Sequence, residues 1–181
     1  MRLELKDIKG GVLEQEYSCT LADFPELSAI TEDGGPKFGE PLTFQLRLQQ
    51  TGRFVEVDGH LDALVMLQCG RCLQSFEQSL SESFALTFAP RGQDNKLEEE
   101  VELEAVELGL IVYEDDILEL QDPLQEQLLM AIPINPVCSE ACQGLCPECG
   151  GNLNAVKCDC IKKVFNNKFN VLADINFKSS E

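Results

Sequence analysis

LTFQLRLQQTGRFVEVDGHLDALVMLQCGRCLQSFEQSLSESFALTF, residues 42–88, is the stretch whose reading decides the fold. Leu42, Phe44, Leu46 and Leu48 alternate with Thr43, Gln45, Arg47 and Gln49, the period-two pattern of a strand with one buried face. Thr51-Gly52 is a turn candidate. Val55, Val57, Leu61, Ala63, Val65 and Leu67 then resume the alternation on odd positions, and at Gly59, the one interruption, a bulge is tolerated. This second strand runs into Cys69-Gly70-Arg71-Cys72, after which Phe76, Leu80, Phe84, Leu86 and Phe88 recur mostly on one parity. The stretch predicts a long antiparallel hairpin with two thiols at its tip. A metal held there would pin both strands in register, whereas an ordinary hairpin turn would need neither cysteine.

The complement of that knuckle lies downstream. Residues 138–160 read CSEACQGLCPECGGNLNAVKCDC and hold six of the nine cysteines. Two thiols two residues apart can turn onto one metal ion. Cys146-Pro147-Glu148-Cys149 forms a second such knuckle, where Pro147 presets φ and Gly150 can take the positive φ that lets the chain leave. Cys158 and Cys160 stand close enough to complete a four-thiolate site with Cys146 and Cys149. Cys138 and Cys142 remain as the natural complement of Cys69 and Cys72. Eight cysteines are thereby used in two sets of four, which favours structural zinc. Disulfides would need an oxidising compartment, and Met1–Asp7 carries neither an apolar run nor a cleavage signal, so a cytoplasmic protein is expected. The ferredoxin spacings that hold iron–sulfur clusters are absent. Cys19 has no near partner and reads as a small buried hydrophobe.

Charge bears on partners. Fourteen Lys plus Arg against 32 Asp plus Glu leave a net charge of −18 on 181 residues. Such a surface repels phosphate, because nucleic-acid binding rests on neutralising the backbone with Lys and Arg. Basic proteins are the more natural partners, although acidity serves solubility as well. No stretch reaches the roughly 18 apolar residues of a membrane span. Catalysis is disfavoured: four-thiolate sites are closed, a Ser/His/Asp set lacks a usable histidine, and no phosphate-cradling Gly-rich loop is present. His60, the single histidine, falls on the opposite parity to the apolar set and reads as solvent-facing. The sequence leaves open whether Arg71 balances thiolate charge or contacts a partner.

The flanking regions are less decisive. Alternation at Leu3 and Leu5, and at Tyr17, Cys19 and Leu21, suggests two short strands, and the run from Ala22 to Pro41 through Asp33-Gly34-Gly35-Pro36 reads as loop. From Leu97 to Glu126 there are twelve acidic residues and no basic one, read as a solvated face with edge strands near Val101, Leu103 and Ala105. Asp122-Pro123-Leu124-Gln125 predicts a helix start, with Asp122 as cap, Pro123 at the first turn and Gln125 completing a capping box. Leu124, Leu128, Leu129 and Ile132 supply its apolar side, and Pro133 and Pro136 end it. Lys162, Lys163, Lys168 and Lys178 make the last segment basic, and Phe165 to Phe177 make it apolar; folding back on the body is the favoured expectation, a mobile tail that orders on a partner the other. The expected fold class is α+β, a mainly antiparallel sheet or partly open barrel with one or two short helices. The expected division is a β-rich domain over 1–137 with a helix near 122–131, a zinc-ribbon-like Cys-rich lobe over 138–160, and a Lys-bearing tail over 161–181.

The order of motifs carries a resemblance. A C-x-R-C-L knuckle at Cys69 to Leu73, an acidic middle, D-P-L-x-E-x-L-L-x-x-I-P at Asp122 to Pro133, P-V-C-x-x-x-C-x-G-L-C-x-x-C-G-x-N-L-N at Pro136 to Asn154, and C-x-C at Cys158 together resemble the bacterial YceD family over roughly residues 40–178. Some members of that family keep the first knuckle, lack the G-L-C-x-x-C-G segment and have histidine near the Cys138 position. This supports pairing Cys69 and Cys72 with Cys138 and Cys142, and a separable second site. The resemblance implies a non-enzymatic factor needed for 23S ribosomal RNA to accumulate, hence for large-subunit assembly, and the charge suggests that it engages a basic ribosomal or assembly protein. The competing expectation is direct RNA binding through the Cys-rich lobe and the Lys-bearing tail.

Overall fold

The computed structural model describes residues 1–91 and 109–160. The acidic stretch near Val101 and the Lys-bearing segment from residue 161 lie outside the described residues. The fold is mixed α+β and mostly antiparallel. Its strands are β1 (Arg2–Glu4), β2 (Val12–Cys19), β3 (Lys37–Phe38), β4 (Leu42–Thr51), β5 (Phe54–Gln68), β6 (Ser75–Pro90), β7 (Leu110–Tyr113) and β8 (Ile117–Glu119). Its α-helices are α1 (Pro25–Glu32) and α2 (Gln121–Ala131). The main sheet runs β2-β4-β5-β6-β7, with β3 continuing the β4 edge of β5, and β1 pairs with β8 in a separate ribbon. Among the described strands only the β6–β7 pairing is parallel.

The alternation at 42–88 translates directly into burial. Leu42, Phe44 and Leu48 of β4 and Val55, Val57, Leu61 and Val65 of β5 are at most 1% exposed, while the polar residues between them face the other side. Burying such side chains contributes about 1.5–3 kcal/mol each before chain entropy is counted. Phe24 and Leu27 from the α1 region and Leu124 and Leu128 of α2 cover this face, and the Phe24 and Phe44 rings stand 5.8 Å apart.

Four expectations change. The 22–41 run is not all loop, since Pro25–Glu32 is helical with Pro25 in the first turn. Its inward anchor, Leu27, is fully buried, so tertiary packing supports a helix too short to stand alone. Gly59 carries no bulge: the β5–β6 register runs unbroken from Val55↔Phe88 to Gln68↔Ser75. Glycine leaves room there for the Phe84 ring, which a Cβ would meet at 2.2 Å. The helix at 121–131 forms, but Asp122 does not cap it; the N-cap is Leu120, without a side-chain bond. Gln125 is 3% exposed and instead accepts the Glu26 N–H at 3.0 Å, serving one of the orphan donors of α1. Near the N-terminus the first strand stops at Glu4, and Leu5 begins a short 3-10 turn.

Candidate metal centres

The β5–β6 hairpin carries Cys69 and Cys72 to one end of the sheet. Its tip is shaped locally: Cys69 N–H donates to Gln74 O at 2.9 Å, Leu73 N–H donates to Cys69 O at 2.9 Å, and Leu73 takes φ +59° to let the chain reverse. After α2, Gly70 N–H donates to Pro136 O at 2.8 Å, which docks the returning segment on the knuckle. Arg71 completes the clamp, its Nη1 donating to Glu140 O at 3.0 Å and Cys142 O at 3.1 Å. These carbonyl bonds are a use of Arg71 that the sequence reading, divided between thiolate charge and a partner contact, did not consider. Gly144, at φ +75°, passes so close that a Cβ would lie 3.0 Å from Arg71 O.

These contacts bring Cys69, Cys72, Cys138 and Cys142 together. Cys69 Sγ lies 3.8 Å from Cys142 Sγ, and Cys72 Sγ lies 3.7 Å from Cys138 Sγ. A tetrahedral ion with metal–sulfur bonds of about 2.3 Å sets its sulfurs about 3.8 Å apart. A disulfide needs about 2.05 Å, and all nine cysteines are free thiols. A second group unites Cys146, Cys149, Cys158 and Cys160, and in each group the four sulfurs lie within 4.8 Å of one another. Both clusters are suited to hold a metal ion. In the second, Cys146 N–H donates to Gly151 O and Gly150 N–H returns to Cys146 O, with Gly150 at φ +71° as the knuckle requires.

Electrostatics argue for a cation in each. Backbone N–H groups of Cys138 and Cys72 draw Cys69 down to about 6, and those of Cys149 and Glu148 draw Cys146 down to about 6. Conversely, the neighbouring Cys142 thiol and burial push Cys138 up to about 12, and Cys149 with burial pushes Cys160 up to about 12. Each set holds a sulfur prepared to be a thiolate beside one that resists ionising. Four thiolates in one place need a divalent ion between them.

Asn154 is the residue the sequence did not single out. Its Nδ2 donates to Cys142 Sγ at 3.3 Å and to Asn152 Oδ1 at 2.9 Å, while its Oδ1 accepts Gln143 N–H at 2.8 Å. It therefore reaches from the loop of the second cluster to a sulfur of the first and holds Cys142 toward its thiolate form. The tight G-x-N-L-N spacing was the available signal. His60 joins neither cluster. It sits on the outer face of the sheet, Nδ1 3.0 Å from Ser83 Oγ and Nε2 3.2 Å from Ser81 Oγ, beside Asp62. Cys19, 5% exposed, is part of the core.

A mostly antiparallel α+β fold whose C-terminal half carries two four-cysteine clusters suited to a metal ion defines the class of protein. Residues 57–176 match the family described as large ribosomal RNA subunit accumulation protein YceD; that is well over half of the chain, and the chain belongs to this family. An uncharacterized protein of Mycobacterium tuberculosis is 31% identical over 116 residues, which cover 62% of this chain and 51% of the relative. A plant relative, the chloroplastic large ribosomal RNA subunit accumulation protein YCED homolog 1 of Arabidopsis thaliana, is 24% identical over 142 residues, covering 67% and 44%. The chain spans about half the length of the curated relatives it matches. No solved structure matches it. Among the described residues no helix is long and apolar enough to cross a membrane.

Proposed function

We propose that this chain is a non-enzymatic factor that supports accumulation of 23S ribosomal RNA and assembly of the large ribosomal subunit. It does so in the cytoplasm, through a basic ribosomal or assembly protein, with structural zinc in each cluster. The observation that carries the reading is membership of a family associated with large-subunit RNA. Zinc follows from the donors, since all-thiolate sets with two-residue knuckles suit a tetrahedral ion without redox chemistry. Four protein ligands leave no open position, so each ion would act on the fold and not on a substrate.

Charge supports the choice of partner. Every charged residue on β5, β6 and α2 is acidic: Glu56, Asp58, Asp62, Glu77, Glu82, Asp122 and Glu126. Such a surface speeds encounter with a basic protein and discourages nucleic acid.

Depletion of the protein followed by quantification of 23S against 16S RNA tests the reading. A selective fall of 23S, restored by the intact chain, is expected, and an unchanged ratio would overturn it. Elemental analysis of protein purified without added metal should find two zinc ions per chain together with nine free thiols on denaturation. A salt-dependent affinity for ribosomal RNA that falls on charge reversal of Lys162 and Lys163 would replace the protein partner by RNA itself.

A further inference from the structure

The two faces of the main sheet carry different chemistry. The inner one packs against α1 and α2, whereas the outer one carries polar and acidic side chains that are mostly exposed. The register puts Glu14, Arg47 and Asp58 side by side across β2, β4 and β5, and beside them Glu16, Gln45, His60 and Ser83 across β2, β4, β5 and β6. Between these two rows lies a groove of about 640 Å³. Gln15, Leu46, Gly59 and Phe84, the row that separates them, also line it, but the inward neighbours of that row, Leu13, Phe44, Leu48 and Leu61, are not among its walls. The groove therefore opens on the outer face, with the backbone of the separating row as its floor.

Most of its polar groups accept hydrogen bonds. Glu14, Glu16 and Asp58 bring three carboxylates against one guanidinium, Arg47, whose Nε lies 4.0 Å from Glu14 Oε1. The hydrogen-bond chain at its β6 wall has the same polarity. Ser81 Oγ gives its one proton to Asp62 Oδ1 at 2.8 Å, so at 3.2 Å it accepts from His60 Nε2–H. A neutral imidazole then accepts at Nδ1 from Ser83 Oγ at 3.0 Å, and the lone pairs of Ser83 Oγ can serve a donor in the groove. A second depression, of about 440 Å³, lies farther along the same face, where Phe38, Leu64, Val65 and Met66 are its apolar walls and Lys37 and Glu77 its charged ones. Leu64 and Met66 are outward residues of β5, 47% and 40% exposed. From Asp58 to Leu64 the strand advances about 20 Å.

We propose that a basic partner protein docks on this outer face, seating an arginine side chain in the acidic groove and an apolar side chain on the Leu64–Met66 depression. A guanidinium brings only donors, in a planar fork that suits carboxylates, to a groove made chiefly of acceptors on neighbouring strands about 5 Å apart. Charge commits the occupant. The outward residues of β2, β4, β5 and β6 include six acids, Glu14, Glu16, Glu56, Asp58, Asp62 and Glu77, against Arg47, with Lys37 on β3. A phosphate backbone is repelled there and a basic segment is drawn in. The exposed apolar pair adds a desolvated contact beside the charged one, and its distance from the groove sets the spacing that the partner must present. This inference rests on the basic-partner reading and gives it a location.

The probe is a capped peptide that places arginine and leucine about 20 Å apart when extended, added to the full chain and followed by amide and methyl chemical shifts. Shifts are expected at Glu16, Gln45, Asp58 and His60 from its arginine end and at Leu64 and Met66 from its leucine end. The same peptide with glutamate in place of arginine should not bind. Glu16→Gln with Asp58→Asn keeps the shape of both side chains, so it should weaken binding by about fivefold, as two exposed ion pairs allow, and leave the melting temperature in place. Leu64→Ser with Met66→Ser should weaken the leucine peptide by about tenfold and leave unchanged a peptide that has serine in place of leucine. Shifts confined to α2 near Asp122 and Glu126 would overturn the site and leave the basic-partner reading standing. No binding of the arginine peptide at millimolar concentration would overturn both. A ribosomal RNA fragment that shifts the groove amides would make nucleic acid the occupant and overturn the partner assignment. Carbodiimide coupling of Glu16 or Asp58 to a lysine of the same chain would overturn it too, by making a segment of this chain the occupant.

Discussion

The two four-cysteine clusters share a ligand set and differ in what they hold together. The first joins the tip of the core hairpin to a segment that arrives after α2, and Cys69, Cys72 and Cys142 are at most 6% exposed. The second draws all its sulfurs from Cys146–Cys160, and only Cys146 is buried, at 5%. Identical chemistry therefore does unequal structural work. A metal in the first cluster fastens remote parts of the chain on top of an existing hydrophobic core. A metal in the second organises a short segment with almost no apolar interior of its own, where binding and folding are one event.

The sharpest way to break this comparison is to remove one ligand from each cluster. Cys69→Ser should lower global stability by about 4 kcal/mol or more, in the range of lost metal sites, read from urea unfolding of the sheet. Cys146→Ser should change the same transition by less than about 1 kcal/mol, while one metal per chain is lost and amides of the 146–160 loop exchange freely. Equal losses from the two variants would refute two independent sites. Asn154→Ala sharpens the contrast, because it lies in the second loop yet serves Cys142. It should weaken metal retention at the first cluster by about tenfold, measured by chelator competition, with the second cluster little changed.

The smallest effect concerns protons. In metal-stripped protein Cys69, seated on the core hairpin, is held near 6, against 9.0 for an ordinary thiol. Its folded value lies below the unfolded one, so its contribution to stability is complete above pH 9 and fades as pH falls through about 6. Thiolate absorbance should show a step near pH 6 that Cys146→Ser leaves unchanged. A step halved by Cys146→Ser would mean that the second loop keeps its fold without metal and that the two clusters differ less than their burial suggests.

Much of this was legible. Alternation from Leu42 to Leu67 specifies a half-buried hairpin because a slip of one residue would turn its apolar side chains to solvent, and a thiol pair at the tip has few other uses. Short-range spacing exposed the cysteine sets for the same reason. The helix at Pro25–Glu32 was obscured because Leu27 is its one buried residue, too little for a period to show, and Gly34-Gly35 drew the reading toward loop. Gln125 was read as serving its own helix, whereas its partner is Glu26, 99 positions away; no local pattern carries such a bond. Asn154 was hidden likewise, since its role depends on where another loop places Cys142.

The reach of the first cluster also sets a schedule for making the protein. Cys72 and its neighbour Cys138 are separated by 66 positions, so at about 5–20 residues per second the hairpin thiols wait roughly 3–13 s for their partners. The span from Cys146 to Cys160 is made in roughly 1–3 s at that rate. The nascent chain is thus exposed to oxidants and to stray metals mainly through Cys69 and Cys72, during synthesis, before the residues that would protect them exist.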